Sequence, residues 1–106
     1  MAYEDSFAAL GDPTRKAVFD RLRQGPQTVG ALAAGLPVSR PAISQHLKVL
    51  KAAGLVADQA DGARRLYRIA GHGPAALRDY LQAVCAEAEA AHKAEIARQT
   101  EERRYG

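Results

Sequence analysis

The segment SRPAISQHLKVL, residues 39–50, is the feature that most constrains the fold, because it combines a helical period with a helix signal at each end. Ser39 is a favourable N-cap, and a proline in the first helical turn is tolerated because its missing N–H would have had no partner there. Gly54 can adopt the left-handed conformation that ends a helix. The apolar residues of the predicted helix recur at helical spacing and define one face: Ile43, Leu47 and Leu50.

The rest of this predicted helix carries short polar and basic side chains. Hydroxyl and amide groups of this kind can read base edges in the DNA major groove, and cations can contact guanine edges and phosphates. The alternative is a solvent-exposed face on an ordinary packed helix. The flanking sequence has to distinguish these two interpretations. The residues concerned are Arg40, Ser44, Gln45 and Lys48.

Two helices are predicted before residue 28. The first is a short turn over residues 6–10. The second begins at Pro13, with Asp12 as its N-cap, and continues to Arg23. Its expected inward residues are Val18, Phe19 and Leu22.

A third helix is predicted over residues 29–35, with Thr28 as its cap and Val29, Leu32 and Ala33 suited to packing. Only Leu36-Pro37-Val38 separates it from the segment that begins at Ser39. A link this short leaves the two flanking helices as crossed neighbours. This is the helix-turn-helix arrangement, in which the second helix enters the major groove.

The sequence period changes to that of β-strands after the predicted fourth helix. Leu55-Val56 opens one strand, residues 64–69 form the other, and Asp61-Gly62 is the predicted two-residue turn. A two-stranded hairpin is marginal alone and must pack on the helices. Arg64 and Arg65 follow the turn and could reach the DNA backbone or minor groove. A plain hairpin with a solvated basic tip is the alternative.

Residues 74–100 predict one long helix with a stripe of apolar and small side chains. Such a helix cannot bury this stripe within so small a domain, so a second copy of the chain is expected to cover it. Cys85 lies near the stripe without an evident activating cation, which favours a buried inert thiol over a redox sensor. The stripe consists of Leu77, Leu81, Val84, Ala88 and Ala91.

Charge is distributed unevenly along the 106 residues. The net charge of the chain is +3, but residues 15–68 carry ten basic and three acidic residues, and the remainder carries five basic and nine acidic residues. A cationic middle segment is the expected footprint of a phosphate-binding module. Double-stranded DNA is therefore the predicted partner.

Length and composition predict one cytoplasmic domain. No apolar run approaches the roughly 20 residues of a membrane span, and the acidic start MAYEDS does not resemble a signal peptide. The single cysteine excludes an intrachain disulfide and a zinc site built from several cysteines of one chain. No Gly-rich phosphate loop or paired carboxylates indicate an enzyme, and no cofactor is predicted.

Three stretches together resemble the ArsR/SmtB (arsenic-repressor-like) family of winged-helix bacterial repressors. They are FAALGDPTRKAVFDRL, VSRPAISQHLKVLKAAGLV and the hairpin ending RRLYRI. The resemblance covers residues 6 to about 85 and implies a winged helix-turn-helix of order α-α-α-α-β-β-α in a single domain, residues 1–106. Within it, residues 6–72 would form the DNA-binding core, residues 55–69 the wing and residues 74–100 the dimerisation helix.

The resemblance also implies a function. A homodimer would bind an imperfect inverted repeat in a promoter and block transcription until an effector, here unknown, releases it. The implied recognition-helix positions are Ser39, Arg40, Ser44, Gln45, His46 and Lys48, and the implied wing contacts are Arg64 and Arg65. Arg15 and Lys51 are further candidates for phosphate contacts.

The chain departs from the family pattern at two places. Asp58 and Gln59 stand before the wing turn where many members carry basic residues, which weakens the expected contribution of that strand. The family's cysteine-pair metal motif is absent, and residues 29–34 in its place are small or apolar.

A zinc-responsive repressor is an alternative within the same family. Asp79, His92 and Glu95 match the family's zinc pattern on the last helix, whose halves come from opposite subunits, but Leu81 stands where the first histidine should be. A solvated or interfacial role for His92 is the competing interpretation, and no metal site is assigned. A helical protein-interaction module with an incidental basic face is the alternative from another class.

Overall fold

The structure is a computed structural model that describes the backbone of residues 3–105 and the side chains of residues 3–104. Over this range the predicted order of four helices, two strands and a last helix is confirmed. The single-domain prediction also includes residues 1, 2 and 106, which lie outside the described residues. The elements are α1 Tyr3–Leu10, α2 Pro13–Leu22, α3 Val29–Gly35, α4 Arg40–Ala52, β1 Val56–Asp61, β2 Arg64–Ile69 and α5 His72–Tyr105.

Side-chain caps fix the starts of α2, α3 and α4, as the sequence predicts. Asp12 accepts a hydrogen bond from the backbone N–H of Arg15 at 2.9 Å, and Thr28 and Ser39 accept equivalent bonds at 3.2 Å and 3.3 Å. Gly54 has a φ of +74°, the left-handed conformation expected after α4. These local signals therefore determine where the central helices begin and where α4 ends.

The apolar face of α4 forms the centre of the core. Ile43, Leu47 and Leu50 are fully buried, and α2 and α3 both pack against them. Phe19, Val29 and Ala33, which were predicted to face inward, are only partly buried at the edge of this core. The other buried apolar side chains include Val18, Leu22, Leu32 and Leu55.

Helix α1 begins at Tyr3 rather than at Ser6 as predicted. The Tyr3 ring stacks on that of Tyr80 in α5, with 4.1 Å between the ring centroids, and Phe7 contacts both rings edge-on. Ser6 is fully buried, and its hydroxyl lies 3.4 Å from the carbonyl oxygens of Ala53 and Gly73. These contacts join α1 to the end of α4 and the start of α5, which extends α1 beyond its own local signals.

The two strands form an antiparallel hairpin whose turn differs from the predicted one. Asp61 pairs with Arg64 in the ladder, so the loop residues are Gly62 and Ala63 rather than Asp61 and Gly62. Gly62 has a φ of +62°, and Ala63 does not have a positive φ. A glycine at the first of two loop positions supplies the positive φ without forcing a side chain into it, which explains the shift by one residue.

The hairpin is anchored to the helices through β2. Gln27, in the link between α2 and α3, exchanges two backbone hydrogen bonds of 2.9 Å with Tyr67. The Gln27 side chain also donates to the carbonyl oxygen of Arg21 at 2.8 Å. The wing is therefore attached on the side of β2 opposite to β1.

Helix α5 is longer than the predicted residues 74–100 at both ends. Its 34 residues correspond to about 51 Å, and the described chain extends 74 Å along its longest axis. The side chains of Leu81 and Val84 are exposed, and so is Cys85, which was predicted to be buried. The prediction fails in the single chain because the distal part of α5 extends beyond the domain. No described helix is long and apolar enough to cross a membrane.

Candidate nucleic-acid interface

The exposed face of α4 carries the polar and basic residues that the sequence placed there. Arg40, Ser44, Gln45 and Lys48 are exposed. Among residues 3–104, the side chains of these four form no ion pair and no hydrogen bond with another protein group. Ser39 is also exposed, but its hydroxyl caps the helix. The face is thus available for contacts outside the chain.

His46 does not join this face. It is half-buried on the side of α4 that packs towards the start of α2. The pKa of the Asp12 carboxyl is lowered mainly by the hydrogen bond from the Arg15 amide, and the charges of Arg15 and His46 lower it further. His46 is therefore close to the cap of α2, which separates it from the other predicted recognition residues.

A basic cleft lies between the N-terminal end of α3, the start of α4 and strand β2. Its volume is about 640 Å³, and it is lined by three arginines together with Thr28 and Tyr67. The Arg40 guanidinium crosses over Gly30, where an added Cβ would lie 3.2 Å from the nearest nitrogen of Arg40. The three arginines of the basic cleft are Arg40, Arg64 and Arg65.

Asp58, in strand β1 of the wing, binds two cations. Its carboxylate oxygens lie 2.8 Å from Lys51 Nζ and 2.6 Å from Arg65 Nε, and only 6% of its side chain is exposed. The hydrogen bonds from Lys51 and Arg65 hold the pKa of this carboxyl below its usual value. Arg64 is bound more loosely, since its nearest carboxylate oxygen on Asp61 is 4.0 Å away and both side chains are exposed.

Sequence reasoning identified Asp58 only as an acidic departure and missed this pairing. On the hairpin, Asp58 pairs with Tyr67 and Ala60 pairs with Arg65, so Asp58 and Arg65 are diagonal neighbours on one face. The predicted turn would also place these two residues on one face, so the alternation of the strands contained this signal. The approach of Lys51 depends on how α4 packs on β1, which no local pattern contains.

Arg15 has an internal role rather than an open one. Its Nε donates to the carbonyl oxygen of Ala9 at 2.6 Å and joins α1 to α2. Arg21 similarly donates to the carbonyl oxygen of Gly35 at the end of α3. Both arginines therefore support helix packing, although sequence reasoning offered Arg15 as a phosphate contact.

The predicted zinc residues are spread along α5. Asp79 and His92 lie about 20 Å apart on one straight helix, so they could meet only across a dimer. Asp79 pairs with Arg78 at 3.3 Å, and Glu95 pairs with Arg98. Within the described part of the chain, no group of three His, Cys, Asp or Glu side chains could hold a metal ion.

The fold and this interface define a winged helix-turn-helix protein, and comparison with known proteins gives its family. A model described as "Helix-turn-helix domain" matches residues 10–59. The HTH-type transcriptional regulator Rv2034 of Mycobacterium tuberculosis is 58% identical over 76 residues, which cover 72% of this chain and 71% of that protein. Other similar proteins are named transcriptional repressors.

Solved structures agree with this assignment. An ArsR-like transcriptional regulator from Rhodococcus sp. RHA1 is 36% identical, with a TM-score of 0.77 and 87% of each chain covered. A homodimeric winged helix-turn-helix DNA-binding domain from Mycobacterium bovis, titled a possible ArsR-family regulator, is 34% identical, with a TM-score of 0.64 and 79% of this chain and 78% of that chain covered. The chain belongs to the ArsR/SmtB family of transcriptional regulators.

Proposed function

We propose that this chain is a homodimeric repressor that binds an inverted-repeat operator with α4 in the major groove. The observation that carries the proposal is the exposed face of α4, whose polar and cationic side chains have no partner among residues 3–104 and adjoin the basic cleft. Hydroxyl, amide and guanidinium groups on a helix of this kind can distinguish base pairs in the major groove. Repression, rather than activation, follows the family resemblance.

The proposed contacts divide into two kinds. Ser39, Ser44 and Gln45 provide short polar groups for base edges, and Arg40 can reach either a guanine edge or the backbone. Lys48 and Arg64 are exposed cations suited to phosphates, and Arg64 with Arg40 lines the basic cleft, where a backbone phosphate would fit. Arg65 is left out of the phosphate set because its Nε already bonds to Asp58.

The apolar groove beside α5 supports a second copy as the dimer partner. The groove has a volume of about 640 Å³ and is lined by Leu10, Leu55, Leu77, Leu81 and Cys85 among others. Half of Leu81 and 39% of Val84 are exposed in the single chain, which is costly for side chains of this size. A dimer through α5 would also present two copies of α4 to successive half-sites on one duplex.

DNA binding is tested by fluorescence anisotropy with the promoter fragment that precedes the protein's own coding sequence and with a scrambled duplex. The wild-type chain should prefer the promoter fragment. Gln45→Ala should reduce this preference, because a base contact carries sequence discrimination worth about 1–3 kcal/mol. Lys48→Gln should weaken binding to both duplexes equally and lower the slope of log affinity against log salt by about 0.9.

The control for this experiment is Gln99→Ala, which changes the same residue type on the distal part of α5. It should leave both affinities unchanged. Equal binding of the wild-type chain to both duplexes would contradict the proposed operator recognition. Uniform loss of affinity in Gln45→Ala would contradict the division into base and phosphate contacts.

Dimerisation is tested by light scattering after size-exclusion chromatography at micromolar concentration. Leu81→Glu places a charge in the groove and should produce monomers. Ala83→Glu adds the same charge to the opposite side of α5, outside the groove lining, and should remain dimeric. A monomeric wild-type chain, or equal dissociation of both variants, would overturn the proposed interface.

A further inference from the structure

Asp58 is the most enclosed carboxylate of the ion pairs between residues 3 and 104. Its side chain is 6% exposed, whereas the side chains of Lys51 and Arg65 that bind it are 56% and 55% exposed. Each carboxylate oxygen takes one cation, Oδ1 from the end of α4 and Oδ2 from strand β2. Asp58, Lys51 and Arg65 form an acidic clasp that connects the C-terminal end of α4 to the wing.

The clasp changes what Lys51 and Arg65 can contribute to DNA binding. A cation gains affinity for DNA by neutralising a phosphate and releasing its counterion, independently of sequence. One carboxylate offsets only one of the two positive charges, so Asp58, Lys51 and Arg65 together release less counterion than two free cations would when DNA arrives. The basic segment therefore attracts DNA less strongly than its count of lysines and arginines suggests.

We infer that Asp58 limits the sequence-independent affinity of this chain for DNA, because its carboxylate offsets part of the charge of Lys51 and Arg65 and holds both side chains between α4 and the wing. The inference rests on the proposed DNA-binding function and assigns an acidic residue a role in it. Arg65 is then a positioning residue, whose guanidinium fixes the wing beside α4. Its neighbour Arg64, which is 4.0 Å from its nearest carboxylate oxygen, is the wing cation that contacts phosphate.

The first experiment compares Asp58→Asn with Asp61→Asn. Both variants remove one negative charge from β1, but Asp61 is half-exposed and holds Arg64 only loosely. Affinity for a scrambled duplex and for the promoter fragment is measured from 50 to 300 mM salt, about the range in which phosphate contacts dominate. Asp58→Asn should steepen the slope for both duplexes by about 0.9, because it removes the one negative charge that offsets the two cations.

In the same experiment, Asp58→Asn should bind both duplexes more tightly at low salt, and its preference for the promoter fragment should stay unchanged, because a phosphate contact does not depend on sequence. Asp61→Asn should change the slope by less than about 0.5. Equal slopes in the two variants, or a flatter slope in Asp58→Asn, would overturn the inference. A wild-type chain without promoter preference would overturn the proposed operator instead, while the slope on the scrambled duplex would still test the clasp.

A second experiment does not require Asp58→Asn to fold. Arg65→Gln and Arg64→Gln remove adjacent cations from the wing and leave Asp58 in place. Because Arg65 shares the charge of Asp58 with Lys51, Arg65→Gln should lower the slope by about half as much as Arg64→Gln, which should lower it by about 0.9. Equal flattening in the two variants would show that Arg65 contacts phosphate and would overturn the inference.

Discussion

The exposed face of α4 and the tip of the wing each carry two cations, and the two regions differ in how closely carboxylates approach those cations. Within residues 3–104, Arg40 and Lys48 have no acidic partner, whereas Arg64 and Arg65 both lie within 4.0 Å of a carboxylate. Each aspartate between residues 15 and 68 takes part in an ion pair. The charge available for DNA therefore depends on pairing rather than on composition, and it is concentrated on α4.

The sharpest way to test this comparison is to separate the two faces of α4. Leu47 is buried in the core, and Ser44 is exposed on the other side of the same helix. Leu47→Ala should lower the free energy of unfolding by about 2–5 kcal/mol, because it removes buried methyl groups and leaves a cavity. Ser44→Ala should change it by less than about 0.5 kcal/mol. Urea denaturation followed by circular dichroism measures both values.

The effect of these two variants on DNA binding should be the reverse of their effect on stability, provided that both are folded. Ser44→Ala should reduce the preference for the promoter fragment, and Leu47→Ala should not do so at a temperature where it remains folded. A large stability loss in Ser44→Ala would show that the exposed face of α4 also supports the core.

Substitutions of Ser39 should have a smaller effect, and they distinguish helix capping from DNA contact. Its hydroxyl accepts the hydrogen bond from the Ala42 amide, so Ser39→Ala should lower the free energy of unfolding by about 1 kcal/mol. Ser39→Asp keeps the cap and should retain stability, but its charge should weaken binding to all duplexes by repelling phosphate. Denaturation and anisotropy on the same samples check both effects. Unchanged DNA affinity in Ser39→Asp would place the start of α4 away from the backbone.

The comparison also explains how much of the molecule the sequence could predict. The starts of α2, α3 and α4 were predicted correctly because each depends on a side chain that caps its own helix within three residues. The buried face of α4 followed from helical spacing for the same local reason.

Features that depend on packing were missed. Helix α1 begins earlier because Tyr3 stacks on Tyr80, which is far away in the sequence. The position of the turn at Gly62-Ala63 was also missed, although it has a local cause, since glycine adopts the positive φ without cost. The pairing of Lys51 with Asp58 needs α4 and β1 in their final positions. In the candidate interface, the face of α4 was therefore predictable, and the strand alternation contained the Asp58–Arg65 pair, but the pairing of Lys51 with Asp58 was not predictable.

The pH dependence of stability is the last and smallest test, because the clasp exists only while Asp58 is charged. The folded pKa of Asp58 lies below its unfolded value of about 3.9, owing to the hydrogen bonds from Lys51 and Arg65. A carboxyl with a lowered pKa stabilises the fold above its unfolded pKa, and this stabilisation is lost as the pH falls through the folded pKa. The difference in the free energy of unfolding between wild type and Asp58→Asn should therefore be constant from about pH 7 to pH 5 and shrink below about pH 4.

The expected plateau of this difference is about 1 kcal/mol, since the pair involves a nearly enclosed carboxylate but two half-exposed cations. Urea midpoints from pH 7 to pH 2.5 measure it, with Asp61→Asn as the control that should show a much smaller plateau, because its ion pair is long and exposed. If both variants differed from wild type equally in the free energy of unfolding, Asp58 would hold its cations no more tightly than Asp61 holds Arg64. The contrast between paired and open cations would then lose its energetic basis, and Arg65 would return to the set of phosphate contacts.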